Sequence, residues 1–404
     1  MLKRLLFGLM CIVVLLFAAC QSPASTPIVA PTESSTNPTP EPNHVHILTD
    51  APAMHQQPVK IAFLDRLDQP EVIDELRWVK LALADFNTAS DMNIELVETD
   101  SGNGADTAQS AATEIGVARD IYGVVGLSYS SDASGAGIVF QQYGLPCISL
   151  ARSTRIFRAD NPTIFRFAPT DEVEGLETGQ LVADALDVKK AFVIYESGAG
   201  PYYQILYNSF VDTLTNSGAT MVGREPITAE TKDFAGVVAK IQSSGADLVF
   251  LGTGTVEQAG LLAREMREKN VNVPVVGYSY FSSADYSAVA EGNYVISPAP
   301  AVYDVPEAAD AIQSYIQTYG NARISLEGPL AYAATKTMLK AMQRAADSGN
   351  LTPRNVADEI SKTNRPDSIL GMPVAFDSNG ELKDAQFYLL KVENGKFKTV
   401  APAH

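Results

Sequence analysis

Beyond residue 58 the chain alternates between short apolar runs and longer stretches in which apolar residues recur every three or four positions. The runs 59–65, 93–100, 122–127, 146–151 and 164–170 read as strands. Between them, 73–87 carries Leu76, Val79, Leu83 and Phe86 at helical spacing, and 105–120 and 134–144 read as helices too. Strands alternating with amphipathic helices build a parallel sheet covered by helices. The same grammar restarts with a helix over 171–188, a strand over 189–196 and a helix over 201–218. Phe234, Val237, Val238 and Ile241 predict another helix, followed by strand 248–252, helix 257–270 and strand 273–279. After the apolar run 294–300 come two long helices, 308–320 and 330–349. The stretch 369–400 changes character: strand segments separated by Ser378-Asn379-Gly380 and Glu393-Asn394-Gly395 predict antiparallel hairpins. The expected fold class is α/β, with two Rossmann-like lobes, each a parallel sheet flanked by helices, and a cleft between them. In open sheets of this kind ligands sit at the carboxyl ends of the strands.

The first residues follow another pattern. Lys3 and Arg4 precede an apolar run over 5–17, and two alanines stand directly before Cys20. A basic head, a short apolar core and small residues ahead of the cut make a secretory signal; a membrane span needs about 20 apolar residues. The segment resembles the bacterial lipobox, in which the cysteine is acylated and becomes the new N-terminus, although Phe17 stands where Leu is usual. An ordinary signal with a chance cysteine is the alternative. The following stretch to about Pro58 is rich in Pro, Ser and Thr and has no apolar periodicity, as expected of a disordered tether. The organisation expected is a signal over 1–19, a tether over 20–57 held by lipid at Cys20, and a folded body outside the cytoplasm, close to a bacterial cell membrane.

Composition narrows the chemistry. A formal net charge of −17 argues against nucleic acid as a partner. Of three cysteines, Cys11 lies in the signal and Cys20 at the cut, which leaves Cys147, in the apolar setting LPCISL, as a buried thiol with no intrachain disulfide partner. His44, His46 and His55 fall in the tether and His404 is the last residue, so the body contains no histidine. Ser-His-Asp and Cys-His catalysis and the usual zinc sites need an imidazole or several thiolates. The body therefore reads as a non-enzyme without a metal or cofactor. Gly252-Thr253-Gly254 follows a strand and precedes a helix, but Glu257 occupies the third glycine position of a dinucleotide fingerprint. Thr253 is kept as a candidate ligand contact.

Three strand-to-helix loops stand out. Residues 126–132 (GLSYSSD) offer hydroxyls and amides at a helix N-terminus, where a carboxylate is welcome. Residues 149–154 (SLARST) supply carbonyls, a hydroxyl and the cation of Arg152 from the same side. Residues 196–203 (ESGAGPYY) offer aromatic cover from the other half. Taken singly, each reads first as a capping loop whose Ser or Asp satisfies backbone amides.

The stretch TKDFAGVVAKIQSSGADLVFLG (231–252) resembles the signature of the type I periplasmic binding proteins of the leucine/isoleucine/valine class. The resemblance extends from about Val59 to Val400 through IELVETDSGNGADTAQSAATEI and ILGMPVAFDSNGELK. It implies two lobes, 58–170 with 300–366 and 171–299 with 367–400, joined by a three-crossover hinge near 168–172, 297–301 and 364–369. It also implies a ligand in the cleft whose carboxylate is held by Ser130 and Ser153, with the backbone carbonyl of Ala151 beside it and Tyr202 covering it from the second lobe. One position departs: where the family carries a glutamate for the ligand ammonium, this chain has Ser279, and neither Asp132 nor Asp285 aligns as a substitute. A buried ammonium without that acceptor loses a charge-assisted bond of about 1.5–3 kcal/mol. Arg152, between two contact residues, reads either as a cation for an acid or as a side chain turned to solvent. The function implied is a lipid-anchored solute-binding protein of an ABC importer, which captures an amino acid or a related small carboxylate or amide and delivers it to the permease. A ligand sensor reporting to a membrane receptor is the alternative; a permease and ATPase pair encoded beside this chain would be the observation that decides for transport.

Overall fold

The computed structural model describes residues 58–153, 162–198, 201–252, 254–281, 283–320, 324–366 and 368–402. The first sheet is made by β1 (Val59–Asp65), β2 (Ile94–Asp100), β3 (Ile121–Gly126), β4 (Cys147–Ser149) and β5 (Ile164–Arg166), all parallel, in the order β2-β1-β3-β4-β5. Helices α1 (Pro70–Ala89), α2 (Ala105–Val117) and α3 (Ser130–Tyr143) connect the first four in turn. After the chain crosses to the other lobe, α4 (Asp171–Leu186), α5 (Pro201–Asn216), α6 (Ala235–Ser244), α7 (Val256–Glu268) and α8 (Ala284–Val289) alternate with β6 (Lys190–Glu196), β7 (Thr220–Ile227), β8 (Leu248–Leu251), β9 (Val275–Gly277) and β10 (Tyr294–Ser297). It then returns to the first lobe through α9 (Ala309–Tyr319), α10 (Glu327–Asp347), α11 (Pro353–Ser361) and the short pair β11 (Asn364–Arg365) and β12 (Val374–Ala375). The last strands, β13 (Tyr388–Glu393) and β14 (Lys396–Pro402), are antiparallel and complete the second sheet in the order β14-β13-β10-β9-β8-β6-β7. Their Asn394-Gly395 turn has φ of 55° and 69°, the left-handed pair that a two-residue hairpin requires.

Period-two alternation sends each strand's side chains to two different layers. In β1, Ile61 and Phe63 pack under α1, α10 and α11, against Val79, Phe86, Met338, Met342 and Ile360. Ala62 and Leu64 face α2 and α3, whose contact is lined by Ala108, Ala112, Ala136 and Phe140. Cys147 is buried in that layer, where burial pushes its thiol up, as expected of an inert structural cysteine. Small residues let α2 and α3 approach closely: a Cβ on Gly135 would stand 2.0 Å from the Ala105 carbonyl oxygen, whereas one on Gly137 would meet nothing within 4 Å. Gly135→Ala should therefore cost about 1–3 kcal/mol through overpacking. Gly137→Ala should gain up to about 1 kcal/mol of helix propensity. Urea denaturation of the two variants checks both signs.

The sequence places the last crossover near 364–369. In the structure Leu370, Met372, Val374, Phe376 and Leu382 are still buried in the first lobe, and the second lobe is reached only at Phe387. The reason is aromatic packing: the Phe376 ring lies edge-on to Phe165 and Phe167, at 5.2 and 6.1 Å between centroids. Strands β7 and β11 and helices α8 and α11 had no counterpart in the sequence reading. Strand β7 lies at a sheet edge and carries Arg224, Glu225 and Pro226, so its apolar alternation is faint. Helix α11 does carry signals, Thr352 capping the Asn355 amide and Pro353 at its first position. No helix among the described residues is long and apolar enough to cross a membrane.

Candidate functional site

Parallel pairing places Gly126 opposite Leu64 on one side and Ser149 on the other, so the loops after β3 and β4 leave the sheet side by side. Gly126 has φ 123°, and a Cβ there would stand 2.6 Å from the Leu64 carbonyl oxygen, so glycine is what lets the chain turn away this close to β1. The two loops are then tied together. Leu150 N donates to Gly126 O at 3.0 Å, Ser149 Oγ to Leu127 O at 3.0 Å, and Ala151 N to Ser149 Oγ at 3.1 Å. Ser130, half-buried, opens α3, and its N-cap Tyr129 makes no side-chain capping bond. The helix N-terminus therefore presents its first-turn amides and partial positive charge without a capping side chain of its own.

Asp132, in the same turn, is fully committed. Arg66 grips it with Nε to Oδ2 at 2.9 Å and Nη2 to Oδ1 at 2.7 Å, and Ser101 Oγ and Gly104 N add bonds of 2.8 and 3.2 Å. Burial opposes its ionisation, but the Arg66 fork and the serine hydroxyls outweigh it and hold the carboxyl below its ordinary range. Asp132 is therefore a structural anchor for the loop and does not substitute for the missing glutamate. Asp285 is exposed on α8.

Arg152 joins the two lobes. Its carbonyl accepts from Arg166 Nη1 and from Asp171 N, the latter at 3.2 Å, and this fixes the loop after β4. Arg166, fully buried, is itself forked to Glu381, with Nε to Oε2 at 2.6 Å and Nη2 to Oε1 at 3.2 Å. From that platform the Arg152 guanidinium crosses to the second lobe and donates to Ser279 Oγ, just beyond β9. Glu174 of α4 lies 4.0 Å from Nη1, and its Oε1 accepts from Ser279 N at 2.9 Å; Glu327 of α10 lies 3.9 Å from Nη2. The Arg152 side chain is thus turned toward the second lobe and not out to solvent.

Ser130, Ala151, Arg152 and Ser153 thus share one edge of the first sheet, with Ala151 fully buried and Ser153 half-buried, and Ser279 meets Arg152 from the corresponding edge of the second. Thr253 lies outside the described residues, as does Cys20 with the whole of 1–57; Tyr202 opens α5, but its side chain is not among those described. The neighbouring Tyr203, half-buried, packs edge-on to Tyr278 at 5.8 Å, giving this wall aromatic character. Sequence reasoning missed Glu174, Asp65 and Glu75. Glu75 had a signal: it sits three residues after Val72 and four before Val79, on the buried stripe of α1.

Two α/β lobes, each with its own core, joined by three crossovers and meeting at their strand ends through a charged contact, define a solute-binding protein. Among the described residues no group of His, Cys, Asp or Glu is placed to hold a metal ion. The chain belongs to the periplasmic binding protein family, whose model matches residues 74–396. It is 24% identical over 335 residues to the leucine-specific-binding protein of Salmonella typhimurium, covering 81% of this chain and 88% of that one. The branched-chain amino acid transporter substrate-binding protein LivJ from Streptococcus pneumoniae, solved with isoleucine, superposes with a TM-score of 0.72 at 21% identity, covering 85% of this chain and 99% of that one. An ABC transporter solute-binding protein from R. palustris, solved with benzoate, superposes with a TM-score of 0.70 at 17% identity, covering 86% and 96%. Membership makes this an extracytoplasmic binding protein and not an enzyme.

Proposed function

We propose that this chain is the solute-binding lipoprotein of an ABC importer. It is anchored through an acylated Cys20 and captures a small carboxylate between its lobes for delivery to a membrane permease. The observation that carries the ligand class is Arg152: its guanidinium reaches Ser279 from the loop after β4, and the adjacent loop after β3 opens α3, so that a cation and a helix N-terminus on neighbouring loops favour a carboxylate. Ser130, Ser153 and the Ala151 carbonyl would hold the polar end, with Tyr202 and Thr253 contributing from the second lobe. With serine at 279, an amino acid is read without the family's glutamate, and acids or amides that lack an ammonium fit equally; relatives of this fold have been solved with both isoleucine and benzoate. Closure of the lobes on the ligand would then be the state the permease reads.

A thermal-shift screen of the protein against amino acids, aromatic acids, amides and sugars tests this. A solute present at 100 times its Kd adds about 2.7 kcal/mol to stability and raises Tm clearly. The expected outcome is a shift with one or more small acids, reduced in Ser153→Ala. A screen in which sugars alone shift Tm, or Ser153→Ala binding an acid as the parent does, would remove the carboxylate site.

A further inference from the structure

Two buried carboxylates stand behind the loop after β3. Asp65, the last residue of β1, is 0% exposed, and Glu75, on α1, is 1% exposed. Both engage Ser128: its backbone N–H donates to Asp65 Oδ2 at 2.8 Å, and its hydroxyl donates to Glu75 Oε2 at 2.6 Å. Asp65 also accepts from Arg66 N at 2.9 Å. The charges that reach Glu75 are negative on three sides: Asp65 from β1, Glu71 from its own helix and Glu327 from α10. The nearby cations are turned to other partners. Arg66 grips Asp132 and lies over the Tyr129 ring at 3.9 Å, and Arg152 faces Ser279, Glu174 and Glu327. Asp74, the residue before Glu75, points to α9 and the turn before α10, where Tyr315 Oη and Ser325 donate to it.

We propose that Asp65 and Glu75 form a proton-holding brace under the anion-binding loop, positioning Ser128 between them, and that capture of an anion at that loop is linked to this proton. Two carboxylates meeting one serine, out of water and among further acids, cannot both stay charged at neutral pH without large cost. Burial, with Asp65 and its acidic neighbours, holds Glu75 well above the carboxylate range, and burial lifts Asp65 to about 6. The folded chain therefore keeps a proton where the unfolded chain has lost it. That fixes a sign: the brace is most favourable near the ordinary carboxylate range, and its contribution falls as pH rises through about 6 and beyond. An anion arriving two residues away, at Ser130 and the α3 N-terminus, adds negative charge and favours the protonated brace, so its affinity falls in the same direction. The anion link rests on the reading of the cleft given above; the brace does not.

The experiment uses the full chain and two readouts. Ligand-free stability is measured by urea denaturation from about pH 5 to 8.5 for the parent, for Glu75→Gln, which keeps a hydrogen bond to Ser128 without a titrating proton, and for Asp65→Asn. The expected result is a parent whose stability declines with pH and a Glu75→Gln profile that is flatter and higher above neutrality. A flat parent profile, or superimposable parent and variant profiles, overturns the brace; should Glu75→Gln fail to fold, the parent and Asp65→Asn profiles decide it. The second readout is calorimetric titration of benzoate and of L-leucine at pH 5.5 and 7.5. Binding that weakens with pH in the parent, by up to about tenfold per unit for one linked proton, and less in Glu75→Gln, supports the link. Equal pH dependence in parent and variant overturns it. Failure of both probes to bind at either pH sinks the acid-site reading and the link together, while the stability profiles still judge the brace.

Discussion

Replacing Arg166 with methionine should lower the stability of the folded chain by about 3–5 kcal/mol, the cost of stranding one half of a buried ion pair. Arg166 is fully buried and makes two bonds to Glu381 and a third to the Arg152 carbonyl, so its loss leaves a half-buried carboxylate and an orphaned backbone acceptor together. Burial raises Glu381 while the Arg166 charge opposes that, so in the variant the carboxyl loses the influence that keeps it charged. The companion change Glu381→Leu, made on top of Arg166→Met, should recover part of the loss, because two apolar groups bury at less cost than one unpaired charge. A double-mutant cycle by urea denaturation measures this. If the double variant were no better than the single one, the bond to Arg152 O would be the greater part of the effect, and the ion pair would matter little.

Replacing Arg152 with alanine should weaken benzoate binding about 10- to 100-fold, the equivalent of a charge-assisted bond of about 1.5–3 kcal/mol. The same change leaves Glu174 and Glu327 at the lobe contact without the guanidinium that stands 4.0 and 3.9 Å from them. Their field then repels anions and favours an ammonium, so L-leucine should lose less than benzoate, or gain. Ser279→Glu should move selectivity the same way by placing a carboxylate where Arg152 now donates. Calorimetric titration of both solutes into parent and variants reads the ratio. An unchanged ratio in Arg152→Ala would take this side chain out of ligand recognition and leave it a purely interlobe contact.

The alternation of strands and helices was legible because each element buries one well-patterned face. Val79, Leu83 and Phe86 on α1 and the two faces of β1 are where periodicity puts them. The Asn394-Gly395 hairpin was legible because two consecutive left-handed residues suit few other sequences. What escaped were features set by tertiary partners. Strand β7 is held by its neighbour β6 more than by its own pattern, and the third crossover depends on Phe376 finding Phe165 and Phe167. At the site, the residue types at the strand ends were readable, and so was the departure at Ser279. The direction of Arg152 was not, because it is fixed by Arg166, fourteen residues on, and by Glu381, brought in from the far end of the chain. Asp132 looked like a spare carboxylate in sequence, but Arg66, Ser101 and Gly104 come from other elements to consume it.

The threefold crossing between lobes also sets a timetable. The first core takes Phe376 and Leu382 from near the end of the chain, and the second sheet seats β13 against β10. Neither lobe can seal its apolar layers until nearly the last residue is present. A chain delivered from its N-terminus thus spends its whole emergence with two unfinished cores, and completes them almost at once. Pairings that distant in sequence close slowly. The crossings that tie the two lobes together thus make them mature as a pair, so a half-made copy is never a half-working one.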